Sequence, residues 1–200
     1  MPDDIHTDGD SPTDSADDSA KGQQRHPAVI ATAIALPVGL LVGLIVAAVV
    51  ANRNPDLGPV ALGTIPAPRA DSQECAALME SLPDSLGDYQ RAELVDPAPE
   101  SAAAWQSELT EPIVLRCGLD RPAEFNQASP LQLVDSVQWF EVSGAEQGID
   151  ASTWFAVDRG VYVAVTIPGG IGPTPIQDIS ATVAGSLPEV PLDPAPVEGP

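Results

Sequence analysis

The sequence predicts an α+β domain of two layers. An antiparallel sheet of four or five strands carries an N-terminal and a C-terminal helix, and one transmembrane helix precedes them. Three observations carry this expectation. Residues Ala28–Ala51 form a run with no charge. Period-two alternation of apolar and polar residues recurs between Pro112 and Ile167. Apolar residues at helical spacing follow Asp71 on one side of that region and Thr174 on the other. All eight aromatic residues lie between Tyr89 and Tyr162, so the packed core belongs there.

Residues 1–27 read as a disordered acidic tail. Asp3, Asp4, Asp8, Asp10, Asp14, Asp17 and Asp18 are set among Ser, Thr and Gly, with little apolar surface to repay the entropy of ordering. The spacing Asp8-Gly-Asp10 lacks the Gly and the closing Glu of a calcium loop. As a helix, residues 28–51 would span about 36 Å, enough to cross a hydrocarbon core with some tilt. The run is longer than the apolar region of a cleavable signal peptide, which favours an uncleaved anchor. A Val-x-Ala site ending at Ala51 leaves cleavage open. Lys21 and Arg25 ahead of the run give a weak bias toward a cytoplasmic N-terminus. Residues 52–70 carry Pro55, Pro59, Pro66 and Pro68 with Gly58 and Gly63, and read as an extended Pro-rich linker.

The domain is expected over 71–187. A helix is expected to open at Asp71 or Ser72, where Asp71-Ser-Gln-Glu74 has the form of a capping box, and Cys75, Leu78, Met79 and Leu82 then define one buried helical face that stops at Pro83. A short strand is expected within 87–94, while 96–108 gives no clear pattern. In Pro112–Gly118, Ile113, Leu115 and Cys117 share one face and Val114 and Arg116 the other. Ser136–Val142 is a further strand. Thr153–Val157 and Val161–Ile167 form a hairpin across Asp158-Arg159-Gly160. Thr174 as N-cap, Pro175 and Gln177 open the last helix, whose inward stripe is Ile176, Ile179, Val183 and Leu187. Residues 188–200 repeat the linker's composition and read as a disordered Pro-rich tail.

Cys75 and Cys117 both fall on apolar faces, and if the helix packs on the sheet both point into the same layer, so a disulfide between them is expected, with two free buried thiols as the alternative. Such a bond persists in an oxidising compartment, which places the domain outside the cytoplasm, behind a single-pass plasma-membrane anchor. The segments CAALMESLP, PIVLRCG and SVQW, and the hairpin ending VYVAVTIPG, resemble the actinobacterial family known as domain of unknown function 3515. Its members resemble this chain in layout: a short N-terminal part, one membrane segment and a two-cysteine domain. The resemblance implies architecture and location in the cell envelope, and no activity.

Composition removes several chemistries. Of 200 residues, 29 are Asp or Glu and 8 are Lys or Arg, a formal net charge of −21, which excludes nucleic acid as a partner. The only histidines are His6 and His26 and the only lysine is Lys21, so the domain has no Ser-His or Cys-His pair, histidine metal site or Schiff-base lysine. Gly169-Gly170-Ile-Gly172 lacks the Lys-Ser/Thr of a nucleotide loop and reads as a turn. No catalytic residue and no cofactor is therefore nominated. Arg116, Arg121 and Arg159 have acidic neighbours in Asp120 and Asp158, making solvated ion pairs the ordinary reading. The binding reading makes Arg116 an anion or carboxylate contact and Trp139 and Trp154 ligand platforms, against a plainer role in the core. The expected function is that of a non-enzymatic, extracytoplasmic binding or accessory module of the envelope, with a protein or a cationic ligand as partner. The alternative is an envelope hydrolase that works by carboxylates alone.

Overall fold

The computed structural model describes residues 38–48 and 57–197. Residues 38–48 are helical (α1) with exposed side chains. Among the described residues no helix is long and apolar enough to cross a membrane. The expected anchor at 28–51 lies largely outside them, as does the acidic tail at 1–27.

The domain contains two further α-helices, α2 (Gln73–Ser81) and α3 (Thr174–Ser186), a 3₁₀ turn at Ala145–Gln147, and eight strands. In chain order these are β1 (Ser85–Leu86), β2 (Tyr89–Ala92), β3 (Ala102–Gln106), β4 (Ile113–Leu119), β5 (Gln132–Val134), β6 (Val137–Ser143), β7 (Ala151–Ala156) and β8 (Tyr162–Pro168). The α+β class is as expected. The strand number is not, because β1, β3 and β5 add to the predicted set. All eight join one antiparallel sheet in the order β1-β2-β3-β4-β8-β7-β6-β5. Two four-strand meanders therefore meet at a single seam, β4 against β8, which pairs Leu115 with Val165 and Cys117 with Val163.

Alternation gives the sheet two distinct faces. The inner face presents Trp105, Ile113, Leu115, Cys117, Val163, Val165, Trp139 and Ala156, all buried, to α2 and α3. From α2 come Cys75 and Leu78, and from α3 Ile176, Ile179 and Val183, which are the predicted helical stripes. Ser72, one of the two openings expected, caps α2, its side chain accepting from the Cys75 N–H at 3.2 Å. The start of α3 differs from the expectation: its N-cap is Pro173, and Thr174 lies within the helix. Helix α3 touches β1 at one sheet edge and β5 and β6 near the other, so the twisted sheet curls around it. The outer face carries a smaller cluster of Phe125, Phe140 and Val157, with the Phe rings 5.5 Å apart. Phe125 belongs to the long connection from β4 to β5, which it pins to the sheet.

Cys75 and Cys117 form the expected disulfide, with both residues fully buried. Next to it, Gly118 takes φ +84° at a bulge where the β4·β8 register shifts. Its carbonyl accepts the Arg69 N–H at 3.0 Å, and a Cβ there would collide with the backbone of Arg69 and Ala70. Gly118→Ala is expected to cost about 2 kcal/mol through positive φ and backbone overlap together. A urea midpoint within error of the wild type would contradict this reading.

Two segments expected to be free lie on the domain. In the linker, Val60 bridges to Leu94, Gln106 donates to the Gly58 carbonyl, and Arg116 Nη2 donates to the Gly63 carbonyl at 2.8 Å. In the C-terminal segment, Glu189 bridges to Arg159 and Ala195 to Asn126, while Arg121 pairs with Asp193 at 3.2 Å. Proline-rich chain is already extended, so it loses little entropy when its remaining backbone groups pair with a domain surface. Composition alone reads the first as an extended spacer and the second as unstructured.

The hairpin turn between β7 and β8 holds a further correction. Asp158 and Arg159 form an ion pair at 2.9 Å with side chains only 1% and 2% exposed, where a solvated pair was expected. Asp158 Oδ2 accepts the Gln138 N–H, its carbonyl accepts from Val190, and Arg159 Nη2 donates to the Ser136 carbonyl. The pair thus ties together two hairpins and the C-terminal segment.

Candidate functional site

Beyond the first turn of α3, the inner face of the β6–β7 hairpin runs out from under the helix. Trp139 is the last residue of β6 that α3 covers: it is fully buried and its Nε1 donates to Ser180 Oγ at 2.8 Å. The next inward positions, Glu141 and Ser143, have no helix above them, and neither do Ser152 and Trp154 on β7. They line an open cleft of about 470 Å³. Trp154 and Ile167 form its floor, Ile171 and Ile176 one wall, and Ile149, 57% exposed, its rim.

The turn read from Gly169-Gly170-Ile-Gly172 forms the lip beside α3. Gly169 donates its N–H to the Asp150 carbonyl and packs so closely on the Asp150 side chain that a Cβ would clash with it. This contact holds Asp150 at the mouth. Glu141, half-buried, accepts from Gln132 Nε2 at 2.9 Å across the β5–β6 pair. The lining contains two carboxylates, Glu141 and Asp150, and no Lys or Arg. An apolar floor beneath an anionic rim suits a ligand with an apolar body and a positive end.

The three residues singled out from the sequence separate. Trp139 is a core residue, because its parity on β6 points it under α3 and Ser180 satisfies its indole. Trp154 lines the cleft. Arg116 stands on the outer face, since it alternates with Cys117, and so cannot share a ligand with Trp154. Arg116 also lacks the ion pair expected of it: among the described residues no carboxylate pairs with it, and burial pushes its guanidinium below the ordinary value. The cleft carboxylates were missed. Glu141 was legible in principle, since Val137, Trp139 and Glu141 share parity and the third of them sets a charge on an otherwise apolar face.

The model of a family described as protein of unknown function (DUF3515) matches residues 34–192. The chain belongs to this family. The match spans the whole domain of the DUF3515 protein, from the helix at 38–48 to the start of its C-terminal segment. No curated protein and no solved structure matches it. Among the described residues no group of three or more His, Cys, Asp or Glu is placed to hold a metal ion.

Proposed function

We propose that this DUF3515 protein is a non-catalytic binding module of the cell envelope, anchored by residues 28–51 with its domain outside the cytoplasm. Its cleft takes a ligand, or a segment of a partner protein, that joins an apolar body to a positive charge. The observation that carries this reading is the cleft's lining, with Trp154 and Ile167 below, Glu141 and Asp150 at the mouth, and no cation. The charge of the domain agrees with it. From Asp71 to Val190 there are 19 acidic residues against 4 arginines, a net of −15, which draws cations and repels polyanions. The disulfide supports an oxidising compartment, and the uncharged run supports the anchor.

A hydrolase working by carboxylates is the less favoured class. Among the described residues the buried carboxylate is Asp158, which is committed to Arg159 and lies at the opposite end of β7 from the cleft.

Titration of the full-length protein with octyltrimethylammonium, followed through tryptophan fluorescence, tests the cleft. Saturable binding is expected, and Glu141→Lys should weaken it about 10-fold by replacing an attraction with a repulsion. Indifference to that substitution would remove the site from the cleft. Turnover of envelope glycans or peptides, abolished by one acidic substitution that leaves the fold intact, would overturn the non-catalytic reading.

A further inference from the structure

The outer face of the sheet holds a second concave site of opposite character. Its floor comes from the middle of the sheet: Val114 and Arg116 of β4, Ala164 and Thr166 of β8, Thr153 and Phe155 of β7, and Val142 of β6. The register sets these side by side, with Arg116 opposite Ala164, Ala164 opposite Phe155, and Thr166 opposite both Val114 and Thr153. One wall is the linker, through Ile65, and the other is the β4–β5 connection, through Pro122. Both walls are built, the first by the Arg116–Gly63 hydrogen bond and the second by Phe125 in its outer cluster. The groove between them encloses about 380 Å³.

Arg116 is the anomaly in this groove. Four of the five arginines between Arg69 and Arg159 have an assigned counterpart. Arg69 pairs with Glu74, Arg121 with Asp193 and Arg159 with Asp158, while Arg91 lies over the Trp105 ring at 4.9 Å. Arg116, half-buried, has only the Gly63 carbonyl on Nη2. Its Nε and Nη1 donors have no partner among the described residues. In a domain with a large excess of acids, no carboxylate among the described residues pairs with this half-buried guanidinium, which stands beside an apolar floor with donors free to receive one. Thr153 and Thr166, whose hydroxyls meet at 3.0 Å, supply the only other polar atoms of the floor, and Glu124 at the rim disfavours a second negative charge on the occupant.

We propose that this groove binds an apolar monocarboxylate, with Arg116 receiving the carboxylate and Val114, Val142, Phe155 and Ala164 the hydrocarbon body. The site lies on the opposite face from the cleft and is independent of it.

Calorimetric titration of the full-length protein with octanoate tests the proposal. One saturable site is expected, with 1-octanol at least about 10-fold weaker because it cannot form the charge-assisted pair. Arg116→Gln should weaken octanoate by a similar factor. Thr166→Phe, which leaves Arg116 in place and fills the floor, should abolish binding, and it decides the matter if Arg116→Gln fails to fold. Trp154→Ala, which opens the floor of the cleft without adding a charge, should leave octanoate binding unchanged. The proposal is overturned by the absence of saturable binding, by equal affinity for octanoate and octanol, or by wild-type affinity in Thr166→Phe. Loss of octanoate binding in Trp154→Ala would also overturn it, by placing octanoate in the cleft.

Discussion

Replacing Cys75 and Cys117 together by alanine is expected to lower the unfolding free energy by about 4 kcal/mol, the chain-entropy value for a bond that closes 42 residues. Domains of this size have roughly 5–15 kcal/mol in all, so the loss is a large share of the total. The bond matters here for a structural reason too. Residues 76–116 contain β1, β2 and β3, of which β1 is two residues long and β3 opens on three alanines. They give Leu86, Tyr89 and Trp105 to the core, and the bridge fixes both ends of the segment that holds them. Urea unfolding of the wild-type protein and the double variant, without reductant, measures the difference. A loss under about 1 kcal/mol would mean that the unfolded chain is already constrained there by other means.

The second large effect is expected at the β7–β8 turn. Asp158→Asn keeps the shape but strands a positive charge on Arg159, which is 6% exposed, and should cost about 3–5 kcal/mol. Arg159→Met combined with Asp158→Leu removes both charges and should recover part of the loss. The recovery is incomplete because the Gln138 N–H and the Ser136 carbonyl lose the partners that the two side chains supply. If the double apolar variant proved less stable than Asp158→Asn, those hydrogen bonds would outweigh the stranded charge.

Strands β4, β6, β7 and β8 were legible because each runs over six or seven residues and sets apolar side chains on the face toward the core. Strand β3 was not. Ala102-Ala103-Ala104 has the composition of a helix, and it becomes a strand because β2 and β4 pair with it on both sides. Strands β1 and β5 are too short to show a period at all. The disulfide was legible from residue parity on one helix and one strand.

The site was readable only in fragments. Parity separates Arg116 from Cys117 and so assigns it to the outer face, yet no sequence rule says that neither Asp120 nor Asp158 would pair with it. Trp139 and Trp154 look alike in the sequence. Only the length of α3 decides that one is covered and the other is not. Asp158-Arg159 read as a polar turn, since burial of such a pair depends on Ser136, Gln138 and Val190, which are brought there by three other parts of the chain.

The single seam between the two meanders has a consequence for synthesis. A chain made from its N-terminus completes α2, β1–β4 and both cysteines by Leu119, so the first half and its disulfide can form early. The strand that covers the other side of β4 begins only at Tyr162. Throughout that interval β4, with Ile113, Leu115 and Cys117 along one face, presents a free hydrogen-bonding edge. It lies next to the half-built core and is wide enough to accept a strand from another nascent copy. Residues 120–161 therefore mark the stretch of growth over which this protein is most open to pairing with the wrong chain, and the arrival of β8 closes it.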